Sequence, residues 1–211
     1  MSSRPSFEVL VVTPEHVTND ALERVLRAGA EALGPRFAVQ ARAKSSPHER
    51  ERVGTEVVRL ATDLGVACFV NGDVVLAERL GANLHVPSDM LREGLRDRMQ
   101  TAWISCPAHD DDDVLRARDE GFDVVLVSPI HRVPGKGPPR GIEAIERAKR
   151  LAPELHVVAL GGMGLETARE AYGAGADAVA LMRAVFEASD PLAFFRALEN
   201  AQKVASEGAK R

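Results

Sequence analysis

The sequence predicts an α/β fold, a closed (β/α)8 TIM barrel, on three observations. Eight short β-branched or apolar runs alternate with longer amphipathic segments almost from end to end. Glycine marks the passage from helix to strand at Leu64-Gly65-Val66, Leu80-Gly81-Ala82, Glu120-Gly121-Phe122 and Ala174-Gly175-Ala176. A left-handed glycine there lets each helix stop and turn directly into the next strand. The strand candidates are continuously apolar, which belongs to a parallel sheet covered by helices, and eight such units favour a closed barrel over an open sheet. At 211 residues the chain lies near the small end of that fold's range.

The elements follow in order. A first strand over Phe7–Thr13 leads to a helix over Asn19–Leu33, with Thr18 or Asn19 as its cap and Gly34-Pro35 as its stop. The second strand, Phe37–Arg42, precedes a helix over Glu49–Leu64, and the third, Val66–Val70, precedes a short one over Val74–Leu80. The fourth pair is Ala82–His85 with Ser88–Arg98, and the fifth is Ala102–Ser105 with Asp111–Glu120. The sixth strand, Val124–Val127, is separated from its helix, Ile142–Leu151, by the Pro/Gly-rich stretch Pro134–Gly141, which reads as a functional loop. Strand seven, His156–Leu160, feeds Leu165–Tyr172, and strand eight, Ala178–Leu181, feeds a closing helix from about Pro191 to Val204. The polar tail from Ala205 is expected to fray. With no dividing linker, residues 1–211 read as one domain with its core over about 7–204.

Composition narrows the function. A hydrophobic share of 45% supplies a core and excludes disorder as the main state. Aromatics are only 4%, too few for a nucleic-acid stacking platform, and 27 Lys and Arg against 31 Asp and Glu leave a charge of −4, the wrong sign for nucleic-acid or membrane partners. Any anion site must therefore be local. Cys68 and Cys106 have neither metal-ligand nor disulfide-framework spacing and read as buried small hydrophobes. The start of the chain lacks an apolar signal core and no run approaches the roughly 20 residues that span a bilayer, so the cytoplasm is the expected location. A homodimer is the candidate assembly.

Barrel chemistry sits at the C-terminal ends of the strands. Those ends carry Thr13; Gln40, Arg42 and Lys44; Asn71 and Asp73; His85 with Asp89; Ser105; Ser128, His131 and Lys136; Gly161 and Gly162; and Arg183. This set is polar and net basic inside an acidic chain, which points to an anionic, phosphorylated small molecule. Gln40, Arg42 and Lys44 fall at spacing two and so on one face of a strand, the lumen face of a barrel; the plainer alternative leaves Lys44 simply exposed. Leu160-Gly161-Gly162-Met163-Gly164 ends strand seven and opens a helix, where glycines let backbone N–H groups approach a phosphate. Arg183 could clamp the same phosphate or form a surface ion pair. His109 beside Asp110–Asp113 reads as a solvated first helical turn rather than a metal cluster, and His85 as a packing or turn residue.

These residues, taken in order with Val70-Asn71, the Ser128-Pro129-Ile130 loop with Lys136, and Ala174-Gly175-Ala176-Asp177, resemble the thiamine phosphate synthase and thiazole tautomerase (TenI-like) superfamily of small barrels. The resemblance covers roughly residues 8 to 200. It implies a synthase that ionises hydroxymethylpyrimidine pyrophosphate to a carbocation, captured by the nitrogen of a thiazole phosphate. It further implies Gln40, Arg42 and Lys44 at the pyrimidine and its pyrophosphate, Asn71 at the pyrophosphate, Lys136 at both anions, Ser105 at the leaving group, and Gly161 and Gly162 at the thiazole phosphate. Asn71 is followed by Gly72 where the family places a Mg2+ carboxylate, so Asp73 and Asp89 each stand one residue from the family's positions, and Arg183 replaces a serine. Mg2+ dependence is accordingly expected to be weak. Two alternatives stay open. One is a metal-free tautomerase moving a proton on a thiazole carboxylate phosphate, with His131 carried into the lumen by a prolonged strand six. The other is a phosphate-ligand-binding protein without turnover.

Overall fold

The computed structural model, which describes residues 4–91 and 94–208, closes the expected ring: eight parallel strands pair in chain order, and the eighth pairs with the first. The strands are β1 Val9–Val12, β2 Phe37–Ala41, β3 Ala67–Asn71, β4 Asn83–His85, β5 Ile104–Ala108, β6 Val124–Val127, β7 His156–Leu160 and β8 Ala178–Leu181. The α-helices are α1 Asn19–Leu33, α2 Pro47–Leu64, α3 Val74–Leu80, α4 Asp111–Asp119, α5 Glu143–Leu151, α6 Leu165–Gly173, α7 Arg183–Phe186 and α8 Pro191–Gly208. Thr18 is the residue that caps α1, its hydroxyl accepting from the N–H of Ala21. Gly65 and Gly81 end α2 and α3 at φ of 67° and 66°, the left-handed geometry their junctions call for.

Strand alternation builds two apolar layers. Leu10, Val12, Ala38, Phe69, Val124, Leu126, Val158, Ala178 and Ala180 fill the barrel interior, whereas Val9, Val11, Val39, Val70, Val125, Val127, Val157 and Val179 pack outward beneath the helices. The N-terminal end of the interior is plugged by rings. Phe7 meets Phe69 edge-on at 5.8 Å and lies 4.4 Å from His156, with Trp103 at 6.5 Å.

Three expectations are corrected. Strand five begins two residues late and runs through Pro107 to Ala108 rather than stopping at Ser105. Proline is tolerated because the missing N–H faces β4, which has already ended at His85. Across the Ser88–Arg98 segment the described residues form separate 3-10 turns at Ser88–Met90 and Arg96–Arg98 instead of a helix, with Leu91 extended and Gly94 left-handed between them; residues 92 and 93 lie outside the described residues. The closing helix continues to Gly208, past the point where fraying was expected, while residues 209–211 lie outside the described ones. A short helix, α7, also starts directly after β8, a signal that four residues are too few to reveal by periodicity.

Candidate functional site at the barrel mouth

Above the apolar interior, β2 to β5 contribute a buried polar layer. Gln40, Asn71, His85 and Ser105 are each no more than 7% exposed. Gln40 donates from Nε2 to Asn71 Oδ1 at 3.2 Å, and its own Oε1 is buried without a hydrogen-bond partner. An uncompensated buried acceptor is costly, so this oxygen marks a place where a ligand donor would be stabilised. His85 Nδ1 lies 2.9 Å from Ser105 Oγ. Burial, with the nearby positive charges of Lys44 and Arg42 adding to it, pushes the His85 pKa down to about 3, so the ring is neutral at ordinary pH. The β6–β8 side carries Leu126, Leu160, Ala180 and Met182 in the same interior cluster, giving the mouth one polar and one apolar wall.

Charged groups surround that layer. Thr13, buried at the end of β1, both accepts from the Arg42 N–H at 2.8 Å and donates to the Arg42 carbonyl at 3.0 Å, fixing the backbone where β2 leaves the barrel. Arg42 thereby stands at the rim, 28% exposed, with Lys44 beyond it. Lys136 lies in the exposed tip of the β6–α5 loop, and Arg183 is exposed at the first residue of α7. Both stems of the β6–α5 loop are pinned. Ile130 and His131 donate backbone N–H groups to Leu160 and Gly161, while Arg140 and Gly141 donate to Pro129 and Ile130. The Arg140 guanidinium adds bonds to the Ala108 carbonyl and Asp111.

The glycine pair does more than open a helix. A Cβ on Gly161 would sit 2.9 Å from Pro129 Cα, and one on Gly162 would sit 2.8 Å from His131 Cβ, with both residues at positive φ. Close docking of the β6–α5 loop is therefore a sufficient reason for both glycines. At the same turn Thr167 accepts the N–H of Gly164 at 2.8 Å and donates to the Gly162 carbonyl at 3.0 Å, tying the start of α6 to the end of β7.

Several candidate residues take positions other than those expected. Ser105 is the second residue of β5 rather than its last, so its hydroxyl faces His85 within the buried layer. β6 ends at Val127, and a cis peptide links Ser128 to Pro129. His131 lies four residues past the strand end and faces α6, where Nε2 stands 3.8 Å from Glu170. Asp73 caps α3 by accepting from the Leu76 N–H at 3.0 Å, and its other oxygen lies 3.8 Å from Arg50. Asp89 belongs to the Ser88–Met90 turn. Mg2+ in phosphate-handling sites takes one or two carboxylates plus phosphate oxygens. Here Asp73 is already engaged by the helix cap and a guanidinium, and among the described residues no group of three or more His, Cys, Asp or Glu gathers for a metal. To serve a divalent ion Asp73 would have to give up the Leu76 cap and the Arg50 contact.

Two residues escaped the sequence reading of the site. Glu15 reaches the rim from the β1–α1 loop, and Arg140 braces the β6–α5 loop. Both act across large sequence separations, which leave no local pattern. His109 follows its expectation, its N–H bonded to Asp113 at the first turn of α4 and Nδ1 lying 3.1 Å from the Ser128 carbonyl. An open hollow of about 460 Å3 beside it is lined by Arg140 and Arg147, both held by Asp111, together with Asp110 and Asp112. No helix among the described residues is long and apolar enough to cross a membrane.

Comparison with known proteins adds independent findings. A family model described as thiamine monophosphate synthase matches residues 9–185. A thiamine-phosphate synthase of Halorhodospira halophila is 35% identical over 198 residues, 89% of this chain and 90% of that protein. One from Thermus thermophilus is 31% identical over 198 residues, covering 90% and 93%. Among solved structures, a thiamine phosphate pyrophosphorylase from Pyrococcus furiosus superposes with a TM-score of 0.82 at 20% identity, covering 96% of this chain and 98% of that one, a likeness of fold.

Proposed function

The chain belongs to the thiamine monophosphate synthase family, and on that premise we propose that it is a transferase of thiamine biosynthesis, coupling hydroxymethylpyrimidine pyrophosphate with thiazole phosphate. The observation that carries the reading is the juxtaposition of a buried polar layer, with the unpartnered Oε1 of Gln40, and a rim bearing Arg42 and Lys44. The layer suits a polar heteroaromatic ring and the rim suits its phosphates.

The chemistry follows from that arrangement. Breaking the carbon–oxygen bond leaves the electron pair on pyrophosphate and a cation on the pyrimidine methylene carbon. Fixed positive groups at the rim stabilise the leaving anion more strongly as its charge develops, which lowers the barrier. Arg42, Lys44 and Asn71 hold the pyrophosphate, and Lys136 closes over both anions from the β6–α5 loop. Gly161, Gly162 and Arg183 hold the thiazole phosphate, placing the ring nitrogen to donate its lone pair to the cation. Ser105, buried below the strand end, positions His85 and through it the lumen wall. A metal-free thiazole tautomerase is kept as a second reading by the engagement of Asp73 in a helix cap.

The deciding experiment incubates the purified protein with both synthase substrates and follows thiamine phosphate and pyrophosphate. Formation of both in equal amounts supports the synthase. Isotope exchange on a thiazole carboxylate phosphate without coupling would establish the tautomerase instead, and tight binding without either reaction would leave a ligand-binding protein.

A further inference from the structure

The loops following β1 and β2 meet at the rim through a carboxylate. Glu15 Oε1 accepts the backbone N–H of Lys44 at 2.6 Å, and Ser45, the next residue, acts on the same carboxylate. Its Oε2 lies 3.8 Å from Arg42 Nη1. Burial pushes this carboxyl's pKa up, yet the bonds to Lys44 and Ser45 and the Arg42 charge together hold it below the usual value.

The groups paired with that carboxylate are a backbone N–H and a positive charge. The Lys44 N–H and the Arg42 guanidinium converge on it just ahead of Ser46, the cap of α2, with Ser45 beside them. Such a concave donor set takes an anion that offers two or more oxygens. It is also the segment whose Arg42 and Lys44 line the ligand rim. The β1–α1 loop is anchored just beyond Glu15, because Arg52 donates to Asn19 Oδ1 at 2.6 Å and to the Val17 carbonyl at 2.8 Å. Glu15 itself stays at the surface, its side chain 33% exposed, so water can receive it when it leaves.

We propose that Glu15 is a built-in competitor for the ligand: its carboxylate holds the anion position of the β2–α2 loop, and a phosphate group of the substrate binds by displacing it. This rests on the reading of Arg42 and Lys44 as phosphate ligands. The displaced bonds are remade to phosphate oxygens, so a ligand carrying several negative charges replaces a single carboxylate with a net electrostatic gain. A monoanion gains little by the same exchange. Glu15 therefore lowers affinity for every anion but sharpens the preference for the more highly charged one.

The test is calorimetry with inorganic pyrophosphate and with acetate as probes, on the wild type, Glu15→Gln and Glu15→Ala, each checked for folding by circular dichroism. Removing the charge should tighten pyrophosphate binding about tenfold and make acetate binding measurable, and about 0.5 M salt should shrink the pyrophosphate gain by screening. Pyrophosphate binding that is unchanged or weakened in both variants, while the wild type binds, would make Glu15 a brace and overturn this inference alone. A wild type and variants that all fail to bind pyrophosphate would overturn it together with the phosphate reading of the rim.

Discussion

At the N-terminal end of the barrel His156 lies 4.4 Å from Phe7 in a plug of Phe7, Phe69 and Trp103, while at the mouth His85 lies 2.9 Å from Ser105 in a layer shared with Gln40 and Asn71. Both rings are buried, and burial pushes the pKa of His156 to about 4 and that of His85 to about 3. Their neighbours differ. Around His156 the interior is closed by apolar rings, which leave its Nε2 buried without a hydrogen-bond partner. Around His85 the polar groups stand under a rim with Arg42 and Lys44, and one acceptor, Gln40 Oε1, is left over. The lesson is that neither burial nor an unmatched polar atom distinguishes a structural end from a functional one, since His156 Nε2 and Gln40 Oε1 are both unmatched. What differs is the setting, packed rings at one end and a polar layer under a basic rim at the other.

Four measurements would break or sharpen this comparison, beginning with the largest effect. Phe7→Ala should lower unfolding free energy by about 3–5 kcal/mol, because it opens a cavity in the plug. Urea unfolding gives the loss, and ligand calorimetry on the folded fraction should show unchanged affinity; an equal loss of affinity would mean that the two ends are not independent.

Acidification comes next. Both histidines have folded pKa values below the unfolded value of about 6.5, so between those limits the unfolded chain binds more protons and stability falls as pH falls. The fall should begin near pH 6.5 and reach about 2 kcal/mol per histidine at pH 5, then level off as the native rings protonate near pH 4 and pH 3. Replacing His156 by Gln should flatten the urea-measured profile without touching the mouth. A profile that stays flat from pH 7 to pH 5 in the wild type would contradict the burial of both rings.

A third effect falls only on the mouth. Lys136→Ala should weaken binding of a thiazole phosphate by about 1.5–3 kcal/mol, the range for a charged hydrogen bond, with stability changed by no more than about 0.5 kcal/mol. Unchanged affinity would make Lys136 a solvated bystander of its loop. The smallest effect concerns the ion. With Asp73 capping α3, product formation in excess Mg2+ and in EDTA should differ by less than about tenfold, a difference of roughly 1.4 kcal/mol. Stoichiometric tight Mg2+ binding would show that the cap opens to release its carboxylate.

The fold was legible because its signals are local. Alternating apolar runs and helical periodicity, the Thr18 cap and the left-handed glycines at 65, 81, 121 and 175 each act within a few residues, and each recurs in the structure. The misplaced end of strand five shows the limit of such signals. Pro107 looks like a stop from its own chemistry, and only the early end of the neighbouring strand at His85 lets β5 continue past it.

By itself the sequence determined the barrel, its order, and the polar, basic character of the strand ends, since these depend on each residue's own chemistry and spacing. Only the tertiary structure decided which of those groups remain free to meet a ligand. Asp73 is engaged by Leu76 and Arg50, His131 turns to Glu170, and Glu15 crosses from another loop to Lys44. The physical reason is that a polar group's chemistry at a site is what its partners leave over, and most of these partners come from segments that only closure of the barrel brings together.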